Sequence, residues 1–173
     1  MKLNKTKIGI LVGSFDPAHK GHLAISKEAV KRLKLEKIIW AITKKNPFKK
    51  PSKVNLLTRI KYCEKIIGKN NFIKVKFYED IIKSNKTINL INYLNRNKKN
   101  EIYFLMGADN LINFHKWHKS KLISQKCNIL VFDRHGYKKN SLKSKTFKQL
   151  NKDVLKFIEF KKVNISSSQL RKI

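Results

Sequence analysis

The sequence predicts an α/β fold with a doubly wound, mainly parallel sheet, formed as one domain over residues 1–173. Two observations support this prediction. Apolar runs of strand length alternate with amphipathic stretches of helix length along the chain. Several of these runs are continuous in Ile, Val, Leu and Phe, which is typical of parallel strands covered by helices on both faces. A chain of 173 residues can also bury a substantial core without disulfide bonds.

Each predicted element follows from its own pattern. Strands are predicted where the apolar runs occur, at 8–12, 37–42, 72–78, 101–106 and 127–132, with a sixth at 157–163. Helices are predicted where apolar residues recur every three or four positions, at 22–33, 56–67 and 86–97. Asn55 and Gly68 suit the two ends of the second helix, as N-cap and C-cap. The remaining segments 43–53 and 134–144 are predicted loops.

The charge composition is unusual and has two interpretations. Lys and Arg number 41 against 11 Asp and Glu, which gives a net charge of +30. Such an excess is typical of proteins that bind polyanions. However, nearly all the cations are lysines, and they are scattered along the chain among many Ile and Asn residues. An AT-rich coding sequence and a solvated surface explain that pattern, so nucleic-acid binding stays an alternative from a different functional class.

The remaining compositional features indicate a cytoplasmic protein without a membrane partner. No apolar run approaches the roughly 20 residues that span a bilayer. The basic and then apolar N-terminus is interpreted as a first strand, because its apolar run is too short for a signal peptide. Cys63 and Cys127 lie in apolar periodic segments and are expected to be buried, reduced thiols.

The turn that follows the first predicted strand contains candidate functional residues. Residues 13–22 read GSFDPAHKGH and lead into the first helix. We expect Gly13 to let the backbone bend or approach a ligand, and Gly21 to leave space beside the helix. A helix N-terminus carries about half a positive charge, so this turn predicts a phosphate site. His19 and His22 would add donors, and either could be cationic when an anion binds.

Two other interpretations of this turn are less well supported. It is not a Walker A loop, because no Gly-Lys-Ser/Thr follows, and it does not fit GxGxxG. The spacing of His19 and His22 suits a pair of metal ligands, but no Cys, Glu or third His is nearby in sequence. No protein metal site is therefore predicted.

These residues carry a resemblance to a known family. GSFDPAHKGH resembles the GxFDPxHxGH signature of the HxGH nucleotidyltransferase superfamily, and residues 165–171, ISSSQLR, resemble its second signature, ISSTxIR. Within that superfamily the chain is most similar to the bacterial nicotinate-nucleotide adenylyltransferases. The further similar segments are MGADNL at 106–111 followed by Phe114 and Trp117, NPFKK at 46–50 and VFDRHGY at 131–137. The resemblance extends from about residue 8 to residue 171 and implies a Rossmann-like nucleotidyltransferase fold.

The resemblance implies transfer of an adenylyl group from ATP to nicotinate mononucleotide, giving deamido-NAD and pyrophosphate. The implied catalytic residues are His19, His22 and Arg171. The implied ATP-binding residues include those three and also Gly13, Ser14, Phe15, Gly21, Gly107, Asp109, Arg134, Ser166 and Ser167. Asp109 would accept from the ribose hydroxyls, although an Asp at this place also commonly caps a helix. The serines at 166–168 equally suit an ordinary N-cap.

The acceptor site is implied by the same resemblance. Trp117 would stack on the pyridine ring, although Phe114 and Trp117 also have the spacing of a core pair. Backbone amides around Thr87 and His118 would hold the carboxylate, and Lys49 or Lys50 would add a cation for the phosphate. The chain differs from its relatives in having Lys86 before Thr87, where Tyr is usual, and His118 after Trp117.

The implied cofactor is Mg²⁺ that arrives with ATP and is held mainly by phosphate oxygens. ATP and nicotinate mononucleotide are the implied partners, no specific nucleic acid is expected, and the oligomeric state is left open. The alternative acceptors within this class are nicotinamide mononucleotide and phosphopantetheine. His19 and Trp117 argue against phosphopantetheine.

Overall fold

The structure is a computed structural model that describes residues 4–160. Its centre is a six-stranded sheet in the order β3-β2-β1-β4-β5-β6, and every neighbouring pair is parallel. The strands are β1 (Thr6–Gly13), β2 (Lys37–Ile42), β3 (Ile73–Lys76), β4 (Asn100–Gly107), β5 (Asn128–Phe132) and β6 (Leu155–Ile158). The predicted doubly wound, parallel fold is therefore confirmed.

Helices cover both faces of this sheet. They are α1 (Lys20–Leu33), α2 (Leu56–Ile67), α3 (Glu79–Ile82), α4 (Thr87–Leu94), α5 (Ala108–Asn113), α6 (Ser120–Lys126), α7 (Lys138–Leu142) and α8 (Lys145–Gln149). A short 3₁₀ helix at Phe114–Lys116 lies between α5 and α6.

Two separate apolar clusters result from the alternation of side chains along the strands. Ile8 and Ile10 of β1 pack in the cluster that contains residues of α4, α5 and α6. Leu11 of the same strand packs in the other cluster, with residues of α1 and α2. Central strands buried on both faces explain the continuous apolar runs that predicted them.

The predicted boundaries hold best where a cap or a long apolar run defines them. The helix α2 has the predicted bounds, Asn55 accepts a hydrogen bond from the Thr58 amide, and Gly68 ends the helix with a φ of 56°. Predicted strand 72–78 is shorter in the structure, as Ile73–Lys76. Cys63 and Cys127 are buried free thiols as expected, and burial raises the pKa of each to about 12.

Two predictions were wrong in their placement. The predicted loop 134–144 contains α7, a single short turn of helix that the polar sequence KKNSL does not distinguish from a loop. The sixth strand begins earlier than 157–163, at Leu155, because Leu155 and Ile158 are the residues that turn into the core. Residues 161–163 of that prediction lie outside the described residues.

The strand order determines where a ligand can bind. Chain connections run from β1 outward to β3 on one side and from β4 outward to β6 on the other. Ligands of such sheets bind beyond the carboxyl ends of the strands where the order reverses. Here that position is the crevice beyond Gly13 of β1 and Gly107 of β4. Within residues 4–160, the helices are all too short or too polar to cross a membrane.

Candidate active site

Two cavities adjoin at this crevice. The first, of about 130 Å³, is lined by both predicted histidines and by Asp109 and Arg134, and we call it the phosphate cavity. The second, of about 340 Å³, is lined by Phe48, Thr87 and Trp117, and we call it the aromatic cavity. Both cavities are lined by Val12, Gly13, Asn46 and Asn110. The two cavities therefore lie side by side at the end of β1.

The two histidines form the cap of α1. His19 is the N-cap residue, and its Nδ1 accepts from the Gly21 amide at 3.1 Å. In return, Nδ1 of His22 accepts from the His19 amide, also at 3.1 Å. A neutral imidazole whose Nδ1 accepts a hydrogen bond carries its proton on Nε2. Each ring therefore has one remaining donor, its Nε2–H, for a ligand in the phosphate cavity.

Both histidines are neutral at pH 7. Burial is the largest cause that lowers the pKa of His19, to about 4, and the charges of Arg134 and Lys49 lower it further. Burial likewise lowers the pKa of His22, with His19, Lys49 and Arg134 adding to the effect. A cationic histidine is therefore not the resting form, and the cationic form of either ring on anion binding stays a prediction.

The ring of His22 rests on a buried support. Phe15 lies 4.8 Å from the His22 ring and stacks on Trp40 at 5.0 Å. Trp40 donates from Nε1 to the Ser26 hydroxyl, which in turn donates to the carbonyl of His22. Ser26 and Trp40 were not predicted as site residues. Ser26 lies one helical turn after His22, and that spacing is the signal that could have identified it.

Of the two roles predicted for Gly13, the structure does not support the bend. Gly13 is the last residue of β1, and the left-handed backbone conformation falls on Phe15, with a φ of 47°. A Cβ on Gly13 would meet no protein atom closer than 3.6 Å, so the bend does not need glycine. Approach to a ligand remains as its reason, because Gly13 lines both cavities. Ser14 and the buried Gly21 line the phosphate cavity as well.

Asp109 and Arg134 are brought together from the ends of β4 and β5. The Arg134 guanidinium donates to Oδ2 of Asp109, and both side chains are about a quarter exposed. Asp109 does not cap α5, because the N-cap is Gly107 and receives no side-chain bond. Among the described residues, Oδ1 of Asp109 is buried without a hydrogen-bond partner.

Gly107 lies directly against this carboxylate. A Cβ at position 107 would lie 2.6 Å from Oδ1 of Asp109, which is closer than real contacts allow. Any larger residue at the end of β4 would therefore displace the carboxylate from its present position. The sequence prediction grouped Gly107 and Asp109 by resemblance, and this contact is the physical reason for the pair.

The aromatic cavity contains the predicted acceptor residues. Trp117 packs against Phe104 and Phe114 with ring centroids 5.9 and 5.3 Å away, so it is both part of the core edge and a wall of the cavity. Thr87 is the first residue of α4, whose N-cap, Lys86, supplies no side-chain bond. Thr87 and the exposed His118 both line the cavity.

The two predicted lysines differ in position. Lys49 lines the phosphate cavity, where its charge acts on both histidines. Lys50 is exposed and lines neither cavity. The other predicted residues of the second signature, Ser166, Ser167 and Arg171, lie outside the described residues, and their roles stay predictions.

Arg59 is the main residue that sequence reasoning missed. It is 4% exposed, and its guanidinium donates to the carbonyl oxygens of Ser14, Thr43, Lys44 and Val54 at 2.6 to 3.2 Å. These carbonyls belong to the turn after β1 and to the loop between β2 and α2. The signal was its position on α2, because Arg59, Cys63 and Ile67 follow one another at helical spacing on the buried face.

The groups that line the phosphate cavity can bind an anionic ligand. Their chemistry does not depend on a nucleophilic side chain of the protein. The phosphate cavity is lined by the two imidazoles with their Nε2–H donors, by the cations of Lys49 and Arg134, and by Asp109. Such groups align and neutralise phosphates, which is the principal need of phosphoryl-type transfer. The aromatic cavity beside it suits a flat ring.

Comparisons with known proteins agree with this geometry. The Cytidylyltransferase-like family model matches residues 10–173. A probable nicotinate-nucleotide adenylyltransferase of Pelagibacter ubique is 73% identical over 98% of this chain and 94% of its own. A second, of a Nitratiruptor species, is 38% identical over 76% of each chain.

The solved structures agree at the level of the fold. The Plasmodium falciparum nicotinic acid mononucleotide adenylyltransferase complexed with NaAD superposes with a TM-score of 0.79 at 21% identity, over 96% of this chain and 83% of that one. The signatures, the site and the two relatives point the same way. The chain belongs to the Cytidylyltransferase-like family and, within it, to the nicotinate-nucleotide adenylyltransferases.

Proposed function

We propose that this protein transfers the adenylyl group of ATP to nicotinate mononucleotide, a step of NAD biosynthesis. The main observation behind the proposal is that the two cavities lie side by side and share Gly13 in their linings. One cavity suits a triphosphate and the other a flat ring, and a reaction that joins two nucleotides needs both substrates in one crevice. The relatives at 73% and 38% identity carry the name of this activity.

The reaction needs positioning and charge neutralisation more than acid–base chemistry. An oxygen of the mononucleotide 5′-phosphate attacks the α-phosphorus of ATP, and the bond from that phosphorus to the β-phosphate bridging oxygen breaks. The products are deamido-NAD and pyrophosphate. The Nε2–H groups of His19 and His22 would donate to the phosphates, and Lys49 and Arg134 would neutralise the charge.

The remaining ATP contacts are proposed from the same cavity. The Asp109 carboxylate would accept from a ribose hydroxyl, since it lines the phosphate cavity and, within residues 4–160, its Oδ1 has no hydrogen-bond partner. Arg134 fixes the orientation of that carboxylate through Oδ2. Arg171 and the serines at 166 and 167 would complete the phosphate contacts, as the second signature implies.

The acceptor is proposed from the aromatic cavity. The pyridine ring would stack on Trp117, and its carboxylate would accept from backbone amides near Thr87 and His118. The N-terminus of α4 faces this cavity at Thr87 without a side-chain cap, which leaves its first amides for an anion. An acid is therefore preferred over an amide at this place.

Mg²⁺ is proposed to arrive as the Mg–ATP complex. In the part of the chain from 4 to 160, the structure groups no three His, Cys, Asp or Glu side chains for a metal ion. The phosphate oxygens of ATP are the ligands that Mg²⁺ prefers, so the ion would be carried mainly by the substrate.

A cytoplasmic location and small-molecule partners are proposed with this activity. The nucleic-acid alternative predicts exposed aromatic side chains among clustered cations on one face. The exposed aromatics of the described residues are Phe48, Tyr62 and Tyr137, and they lie on three different segments, the loop after β2, α2 and the start of α7.

The experiment that tests the proposal identifies the products. Purified protein is incubated with Mg–ATP and nicotinate mononucleotide, and the mixture is analysed by phosphorus NMR and mass spectrometry. We expect deamido-NAD and pyrophosphate in equal amounts. Formation of ADP or of free phosphate from folded protein would contradict adenylyl transfer.

A further inference from the structure

The aromatic cavity has a second ring that neither the signatures nor the predicted site residues include. Phe48 lies in the loop between β2 and α2, and its ring faces that of Trp117 with centroids 6.4 Å apart and an angle of 21° between the planes. Both residues line the cavity. The two rings are therefore nearly parallel across the space proposed for the pyridine.

The backbone holds Phe48 in this position although its side chain is exposed. The Phe48 amide donates to Oδ1 of Asn46 at 2.9 Å, and the Lys49 amide donates to the Asn46 carbonyl at 3.2 Å. Asn is well suited to such turns because its side chain replaces a backbone acceptor. Phe48 is nevertheless 58% exposed, so burial in the core does not explain its position.

The base of the loop is anchored where it leaves β2. The Lys44 backbone amide donates to Oε1 of Glu79 at 3.3 Å. The side-chain ammonium of Lys44 pairs with the Asp80 carboxylate at 3.0 Å. Arg59 holds the carbonyls of Thr43 and Lys44 from below. These contacts therefore fix the loop where it leaves β2 and help to position the exposed ring of Phe48.

The spacing of the two rings suits one flat ligand. Carbon atoms pack best at about 3.5–4.0 Å, so a ring between two others needs centroids about 7 Å apart. The observed 6.4 Å is within about 1 Å of that separation. A ligand would need to widen this separation slightly. Trp117 is packed against Phe104 and Phe114, so we expect Phe48 to be the ring that moves.

We propose that Phe48 and Trp117 are the two walls of a slot that receives the pyridine ring of the mononucleotide, and that Phe48 is a determinant of acceptor affinity. This inference rests on the proposed function, since it assigns a second contact to the same acceptor. It makes Phe48 a substrate-binding residue beside Lys49, which faces the phosphates.

The test measures binding of each substrate separately. The sequence has two tryptophans, and Trp40 is fully buried against Phe15, so quenching on addition of nicotinate mononucleotide reports Trp117. We expect Phe48→Ala to raise the dissociation constant for nicotinate mononucleotide about three- to tenfold, the range for loss of one aromatic contact. The Michaelis constant for Mg–ATP should stay within about twofold of wild type.

Two variants control the comparison. Phe48→Tyr keeps a flat ring and should bind the mononucleotide within about twofold of wild type. Tyr62→Ala removes another exposed aromatic, on α2 and outside both cavities, and should leave both constants unchanged. Thermal melting checks that each variant is folded.

The outcomes separate this inference from the proposed function. If wild-type protein neither binds nor adenylylates nicotinate mononucleotide, the proposed function fails and the slot with it. If wild type does both and Phe48→Ala binds as tightly, only the slot is overturned. Equal weakening of ATP and mononucleotide by Phe48→Ala would also overturn it, because the ring would then stabilise the loop and not the acceptor.

Discussion

At the scale of single residues, the site depends on where hydrogen-bond acceptors point. His19 and His22 each use Nδ1 to accept from the backbone at the start of α1. This use fixes the tautomer and leaves Nε2–H for a ligand. The same two residues therefore begin the helix and supply donors to the phosphate cavity.

We expect His22→Ala to lower turnover at least about 100-fold, the typical effect of losing one preorganised donor. The comparison is His22→Asn, whose Oδ1 can still accept from the His19 amide but whose side chain is too short to replace Nε2–H. Steady-state kinetics should give low turnover for both variants, and melting should show that Asn restores the helix cap. Near-normal turnover in either variant would remove His22 from the mechanism.

His19 contributes to the pH dependence of stability, as does His22, whose pKa burial also lowers. The folded pKa of His19, about 4, lies below the unfolded value of about 6.5, so the unfolded state binds more protons between those values. Its stabilising contribution is complete above about pH 6.5 and is lost as the pH falls toward 4. We expect His19→Asn, which can still cap α1, to flatten urea-unfolding free energies across this window. The account is contradicted if the variant and wild type lose stability equally between pH 6.5 and 4.

At the scale of elements, α2 does more than cover the sheet. Its buried face carries Arg59, which binds carbonyls of the turn after β1 and of the loop after β2. The first segment borders the phosphate cavity and the second borders the aromatic cavity. One side chain therefore links the two substrate segments.

We expect Arg59→Met to destabilise the protein by about 2 kcal/mol or more, because buried carbonyl oxygens lose their donors. The Michaelis constants of both substrates should rise together, since Ser14 and Thr43 lose the same anchor. Arg59→Lys keeps the charge but not the planar set of donors, so it should recover only part of the loss. Denaturant unfolding and kinetics test this together, and a variant as stable as wild type would show that Arg59 is not the link.

At the scale of the whole molecule, the sequence predicted the central strands β1, β2, β4 and β5 well because they are apolar and largely buried, whereas the four-residue strands β3 and β6 were predicted less accurately. The ends of α2 could be predicted because Asn55 and Gly68 are residues with strong local preferences. Short helices such as α3 and α7 could not, since a single turn of helix is stabilised by tertiary contacts and has no period of its own.

The site also has a part that was predicted from the sequence and a part that was not. Its histidines, glycines, Asp109, Arg134 and Trp117 were predicted from the resemblance of their segments to a known family, and the structure places all of them along the two cavities. The links between them could not be predicted. The pairing of Arg134 with Asp109, the carbonyl contacts of Arg59 and the approach of Phe48 to Trp117 join segments far apart in the chain.

The most direct test of the account compares acceptors. Pyrophosphate release from Mg–ATP is measured as an initial rate with nicotinate mononucleotide, nicotinamide mononucleotide and phosphopantetheine, each offered separately over a range of concentrations. We expect the highest kcat/KM with nicotinate mononucleotide, because the uncapped start of α4 and the ring of Trp117 border the acceptor cavity. A higher kcat/KM with either other acceptor would contradict the assignment of that cavity.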